Sequence, residues 1–308
     1  MALTDHELFG IYPAIFDSLT LAHISNVDAQ HGVQKMIVMP GGLVDPALVL
    51  EVNRDPQVMI TGHDLGAILT AVSPLLGLSV ASAWKVQYQQ KADGGTFTGS
   101  GANVLLSGAK GKLILDSISA QQDEQNPASC ALKFYPLWDG TTVDGSGNAL
   151  PVTVSAGQNL SGTPSTANVY KLGAVVFEGT TLKGVQSAKV NFGTGYTTTR
   201  GDGEKAARIG TIDKREPSIE VDIHNLTLLS TNTHGLKQAS SGVDVYFRNH
   251  LYADAATNHV KISMGAGAYE TTPAGTAADG KVMTKLIMTA TKPSAAEIIV
   301  VTVGVAMP

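Results

Sequence analysis

Apolar and polar residues alternate strictly in Ser218-Ile219-Glu220-Val221-Asp222-Ile223-His224, in Val243-Asp244-Val245-Tyr246-Phe247 and in Val260-Lys261-Ile262-Ser263-Met264. A period of two puts every second side chain on one face, so these runs predict strands with one buried side. Clusters of turn formers separate such runs, as in Ala92-Asp93-Gly94-Gly95, Gly99-Ser100-Gly101 and Ala278-Asp279-Gly280. One stretch departs from this pattern. Between Asp64 and Val72, Leu65, Ile68, Leu69 and Val72 recur at helical spacing and stop before Pro74, which predicts a short helix. The pattern is mainly β, and it predicts sandwich or partial-barrel domains, each with one short helix on its flank.

Two blocks recur along the chain. Gly32-Val33-Gln34 with Val38 and Gly41 matches Gly184-Val185-Gln186 with Val190 and Gly193, and Arg54-Asp55-Pro56 with Val58, Ile60 and His63 matches Arg215-Glu216-Pro217 with Ile219, Val221 and His224. The two offsets differ, which implies a tandem duplication with a longer loop between the blocks of the second copy. Downstream, Gly111-Lys112 and Gly280-Lys281 each open a β-rich run. The last apolar strands are expected at Cys130 to Leu137 and at Ile298 to Ala306. The expected organisation is a first β domain over 1–138, a Gly/Ser/Thr-rich connector over 139–168 with one short strand at Leu150 to Ser155, and a second β domain over 169–308.

Composition narrows the function classes. Only 15% of the 308 residues are charged, and the formal charge is −5; an ordinary soluble domain carries roughly 25%. The hydrophobic share of 43% argues against disorder, and the acidic balance argues against a protein that neutralises phosphates. The single cysteine, Cys130, excludes an internal disulfide and is expected to be a small buried hydrophobe. The N-terminus has acids where an export signal has bases. The longest apolar stretch, Leu65 to Trp84, is broken by Pro74 and falls short of a membrane span. Synthesis and assembly in the cytoplasm are expected, with no membrane partner.

Catalytic and cofactor motifs are not found. Gly99-Ser100-Gly101 and Gly265-Ala266-Gly267 lack the third glycine of a dinucleotide loop, Ser107 to Lys112 has the wrong spacing for a P-loop, and no Gly-x-Ser-x-Gly elbow is present. None of the eight histidines forms a helical ligand pair. His63-Asp64 and His224-Asn225 stand at equivalent strand ends and could orient a base, but neither has a nucleophile beside it, so a capping role is expected. Arg200-Gly201-Asp202 and the Asn-x-Ser/Thr tripeptides are read as chance. No enzyme, cofactor or metal is expected.

The remaining feature is the long loop from Gly193 to Gly210. Its Gly193, Tyr196, Arg200, Asp202, Glu204, Lys205 and Arg208 combine one aromatic, both charge signs and flexible linkers, which suits a contact arm that orders against a neighbouring subunit.

The run from Leu182 to Val190, the long loop and the return from Ile212 through Arg215-Glu216-Pro217 to Asp222 resemble the major tail tube proteins of long-tailed bacteriophages. The resemblance is clearest over 170–230 and weaker over 20–70. It implies a virion structural protein that stacks as rings into a tail tube for DNA ejection, with the loop residues just named making ring-to-ring contacts. The tandem form is similar to tube proteins in which three two-domain subunits make a pseudo-hexameric ring. Its implied partners are further copies of itself and the tail terminator, tape measure and tail-tip proteins, with DNA only in non-sticking transit. Glu220 and Asp222, on the outward face of their strand, are the candidate lumen residues. The competing expectations are another phage structural part, such as a capsid decoration or tail-tip ring, and a β-sandwich carbohydrate-binding module or enzyme.

Overall fold

A computed structural model describes residues 8–38, 48–91, 101–122, 127–165, 168–224, 235–276, 282–291 and 298–308. The first half of the chain forms β1 (Leu8–Phe16), β2 (Leu19–Leu21), β3 (Ile24–Gln30), β4 (Val33–Val38), β5 (Leu48–Arg54), β6 (Gln57–Gly62), α1 (Leu65–Ala71), β7 (Leu78–Val80), β8 (Trp84–Lys91), β9 (Asn103–Gly108), β10 (Lys110–Gln121), β11 (Ser129–Leu137) and β12 (Thr153–Gln158). The second half forms β13 (Tyr170–Phe177), β14 (Thr180–Thr181), β15 (Val185–Asn191), β16 (Thr194–Thr199), β17 (Ile209–Arg215), β18 (Ser218–Ile223), β19 (Lys237–Gln238), β20 (Val243–Asn249), β21 (His259–Met264), β22 (Gly267–Thr276), β23 (Val282–Ala290) and β24 (Ile299–Val305).

Both halves use these strands in the same way. The five-stranded sheet β2-β1-β8-β9-β12 of the first half corresponds to β14-β13-β20-β21-β24 of the second. Likewise β3-β6-β11-β10, with β7 on β10, corresponds to β15-β18-β23-β22, with β19 on β22. These last two sets join edge to edge through β10 and β15 into one ten-stranded antiparallel sheet. Each five-stranded sheet packs on its own half of the central sheet. In the first half the rings of Phe16 and Trp84 each lie 4.8 Å from that of Phe134, and in the second Phe177 lies 5.0 Å from Tyr269. The result is a mainly β sandwich, and among the described residues no sheet closes as a barrel.

The true repeat differs from the expected one. The pairing of β3 with β6 matches that of β15 with β18 position for position, irregularity included: Val27 faces Ile60 as Ala188 faces Val221. Gly32 therefore corresponds to Gly193, and Gly184 corresponds to His23. Both glycines have positive φ, +59° and +57°, and a Cβ on either would lie 1.8 Å or 2.1 Å from the carbonyl oxygen of Asp55 or Glu216. The match of Gly32-Val33-Gln34 to Gly184-Val185-Gln186 reflects common strand residues rather than shared position, while the Arg54 to Arg215 offset holds throughout this region.

Three expectations change as a result. The loop after Gly193 is no insertion, because β4 and β5 form a hairpin in the register of β16 and β17: Val33 faces Arg54 as Thr194 faces Arg215. Next, β11 has β23 as its counterpart, and Gly111 corresponds to Gly267 rather than Gly280. Finally, the short strand expected inside the connector forms as β12, but it pairs with β9 and so completes the first half. The repeat boundary thus falls after Gln158.

The predicted helix forms as α1, where the Asp64 carboxylate caps the N-terminus by accepting from the Ala67 amide at 3.3 Å. Its counterpart after Asn225 lies outside the described residues. Leu65, Ile68 and Leu69 are buried, and the helix packs on β2 of one half and on β21 and β24 of the other.

Candidate functional site

The expected contact loop does not project freely. Its arm, β16 with β17, lies on the first half at the corner formed by Arg54, Asp55 and Pro56. The Arg54 amide donates to the Lys205 carbonyl at 2.7 Å, and the Trp138 amide donates to that of Ala207 at 2.8 Å. Arg200 forms an ion pair with Asp55. Arg208 stacks its guanidinium 4.7 Å from the centre of the Trp138 ring, pairs with Glu204 at 3.1 Å, and accepts from the Lys110 ammonium through its carbonyl. Tyr196 and Tyr135 have ring centres 4.8 Å apart. Burial of the Tyr196 phenol, with Tyr135 beside it, pushes its pKa up to about 12. Ala206 and Ala207 are buried under this contact. Gly193 sits at the arm's root, where its carbonyl accepts from the Glu216 amide at 3.0 Å. Asp202 is exposed at the tip.

Most of the arm residues expected from the sequence are therefore brought together, and their partners Arg54, Asp55, Lys110, Tyr135 and Trp138 were not anticipated. The sequence holds one signal for these partners, the Arg54-Asp55-Pro56 block itself. A duplicated corner is a place where a duplicated arm can land.

The corresponding features at the outer ends stand open. β3 ends the central sheet, and its outer edge has no partner strand among the described residues, whereas its counterpart β15 is paired with β10. The corner Arg215-Glu216-Pro217 carries no arm among the described residues: the Glu216 side chain is 63% exposed, against 29% for Asp55. The first arm, β4 with β5, exposes Val33, Met36, Ile37, Leu48, Val49, Leu50 and Val52. A cleft of about 420 Å³ opens at its root beside His31, Val33, Glu51 and Val152. Arg54 stiffens that root by bonding Glu51, Asp144 and the Ala149 carbonyl.

The outward face of the central sheet carries paired charges and hydroxyls in both halves, with Met59 and Ile287 among them. Glu220 accepts from Lys285 at 3.0 Å and from Asn191 at 3.2 Å, and the Lys285 bond holds its carboxyl below the usual range. Asp222 accepts from the Ser187 hydroxyl at 2.7 Å. Asp116 pairs with Lys133 at 2.7 Å. The face that the sequence presents as acidic is thus one of paired charges and hydroxyls.

Of the remaining sequence candidates, His63, His224 and Cys130 lie among the described residues, and Asn225 lies outside them. His63 bonds the Ala128 carbonyl through Nδ1 at 3.0 Å, and its ring lies 4.7 Å from that of His23. Cys130 is fully buried, which pushes its thiol pKa far above its ordinary value. Among the described residues, no group of three His, Cys, Asp or Glu side chains could hold a metal ion, and no helix is long and apolar enough to cross a membrane. In comparisons with known proteins, the chain matches no family model and no curated protein sequence.

Proposed function

We propose that this chain is a self-assembling structural protein of the tail-tube type, stacked as rings around a conduit for phage DNA. One observation carries the reading: two equivalent halves are joined edge to edge in one sheet, and each outer end carries the element that the other end lacks a partner for. Contacts of this heterologous kind propagate until the rotation closes them. Closure removes the sheet edges that would otherwise aggregate.

Three chains per ring would present six equivalent halves, in keeping with the pseudo-hexamer that the resemblance implies. The outward face supplies the lumen wall, with Glu220 and Asp222 on it. Because Lys285 and Lys133 on that face are paired with Glu220 and Asp116, these two cations offer phosphate little gain from counterion release. DNA then passes without sticking. The role is structural rather than catalytic, its setting is the virion after assembly in the host cytoplasm, and its partners are its own copies, the tail terminator, the tape measure and the tail-tip proteins.

Negative-stain microscopy of the purified chain, with sedimentation over a concentration series, tests this. Rings or tubes with three chains per turn are expected. A chain that stays monomeric throughout overturns the reading. In assembled particles, Glu220→Lys with Asp222→Lys should slow genome release, and release at the normal rate would remove the lumen assignment.

A further inference from the structure

The two arms share a backbone and differ in chemistry. On the second arm, Thr194, Gly195, Thr197, Thr198, Thr199, Gly210 and Thr211 occupy the positions of Val33, Gln34, Met36, Ile37, Val38, Val49 and Leu50 on the first, while Ile209 matches Leu48 and Tyr196 and Ile212 stand at Lys35 and Glu51. The polar arm is the one docked inside the chain. The apolar arm stands open, with Ile37 and Val49 facing each other across it at 58% and 53% exposure.

Met36 with Leu50 and Ile37 with Val49 are successive cross-strand pairs, so both faces of this ribbon are apolar. A two-stranded ribbon is at best marginally stable alone, and an exposed apolar patch of this kind marks an interaction surface.

We propose that the paired strands β4 and β5 are the docking arm by which one copy of this chain grips the second half of the next, landing on the open Arg215-Glu216-Pro217 corner. The occupant follows from the fold itself, because the same corner in the first half is covered by the same kind of arm. The chemical difference has a physical cause. The second arm is tethered to its dock through the chain, and a tether supplies a high effective concentration, so a Thr-rich arm with a few ring contacts, Tyr196 on Tyr135 and Arg208 on Trp138, suffices. The first arm must hold a separate molecule against dilution, which calls for apolar burial.

The adjoining strand edge adds to that demand. At the joint inside the chain, Ile118 of β10 faces Val190 of β15, and the position of Ile118 in β22 is held by Pro273. Proline has no amide to give a neighbouring strand. A joint between copies built on this edge loses a backbone hydrogen bond, and the apolar arm compensates.

This inference rests on the self-assembly in the reading above and needs neither the tube nor the DNA. In the chain Tyr196 meets Tyr135, and the corresponding positions are Lys35 on the apolar arm and Thr289 on β23, both exposed. The first experiment compares wild type with Ile37→Asn/Val49→Asn by sedimentation velocity over a concentration series, with circular dichroism as the folding control. The double variant should keep its β signal and associate at least about 100-fold more weakly.

The second mixes Lys35→Cys chains with Thr289→Cys chains and adds a short bis-maleimide, Cys130 being buried and inert. A bridged heterodimer from the mixture, absent from either variant alone, is expected. Wild type that stays monomeric overturns both readings. Wild type that assembles, while the double variant assembles equally well or the cysteine mixture gives no bridge, overturns the arm alone.

Discussion

The Arg208 guanidinium lies 4.7 Å from the centre of the Trp138 ring, joining an arm of the second half to a loop that follows the last central-sheet strand of the first. Around it, Tyr196 on Tyr135 and Arg200 on Asp55 complete the seam. Tyr196→Ala with Arg208→Ala should lower the stability of the chain by about 1–3 kcal/mol, since a cation–π contact contributes about 1 kcal/mol and the lost aromatic packing the rest. The loss should be local first. Hydrogen exchange at the Arg54 and Trp138 amides, which donate to the arm, should quicken, while that in β11 stays slow. Unchanged exchange at both amides would mean that the arm does not hold the seam.

Asp17 and Glu178 occupy the same turn of the two halves, with positive φ of 51° and 47°. The carboxylate of Asp17 accepts from the Ser82 hydroxyl and from the amides of Ala81, Ser82 and Ala83, and that of Glu178 accepts from the Ser240 amide and hydroxyl. Partial desolvation raises the Asp17 pKa, but these hydrogen bonds outweigh it and lower the value from 3.8 to about 2. A carboxyl whose folded pKa is depressed adds stability above its unfolded pKa, and that stability is lost as pH falls through the folded value. The unfolding midpoint of the wild type should therefore drop between about pH 4 and pH 2. Asp17→Asn, which tolerates the left-handed backbone, should flatten that drop, and an equal slope in both proteins would remove Asp17 from the acid limb.

Gly32 and Gly193 hold the roots of the two arms against the backbone of Asp55 and Glu216. An alanine at either site must occupy strained φ and displace a carbonyl. Gly32→Ala and Gly193→Ala should each cost about 2–4 kcal/mol in chemical denaturation. Similar values at the two sites would support the equivalence of the arms, and a loss under about 0.5 kcal/mol at either would contradict the geometry.

Much of the local structure was legible from residue patterns alone. Strict alternation over 218–224, 243–247 and 260–264 marks β18, β20 and β21, and the spacing from Leu65 to Val72 with its Asp64 cap marks α1. The repeat was legible in outline but misaligned. Gly-Val-Gln recurs by residue frequency, whereas the features that the fold keeps are backbone devices, such as a left-handed acid after Phe16 and Phe177 and a glycine under a carbonyl. These tolerate exchange of Asp for Glu, so a comparison of letters passes over them. Phe16-Asp17 with Thr20-Leu21, repeated as Phe177-Glu178 with Thr181-Leu182, was the signal that gives the offset.

The seam was least legible. β10 pairs with β15 across more than sixty residues of chain, and nothing local in Ser117 to Gln121 encodes that partner. Trp138, just past the end of β11, likewise has nothing local that names the arm as its partner.

Joining two equivalent halves in one polypeptide also fixes the parity of anything built from it. A closed assembly holds an even number of halves in alternating order, so its surface repeats every second half. A protein docking on the rim would meet two chemically different seats in turn, one beside a Thr-rich arm and one beside a Val- and Leu-rich arm. On the proposed three-chain ring, a threefold partner would find three identical seats, while a sixfold partner would have to tolerate two kinds.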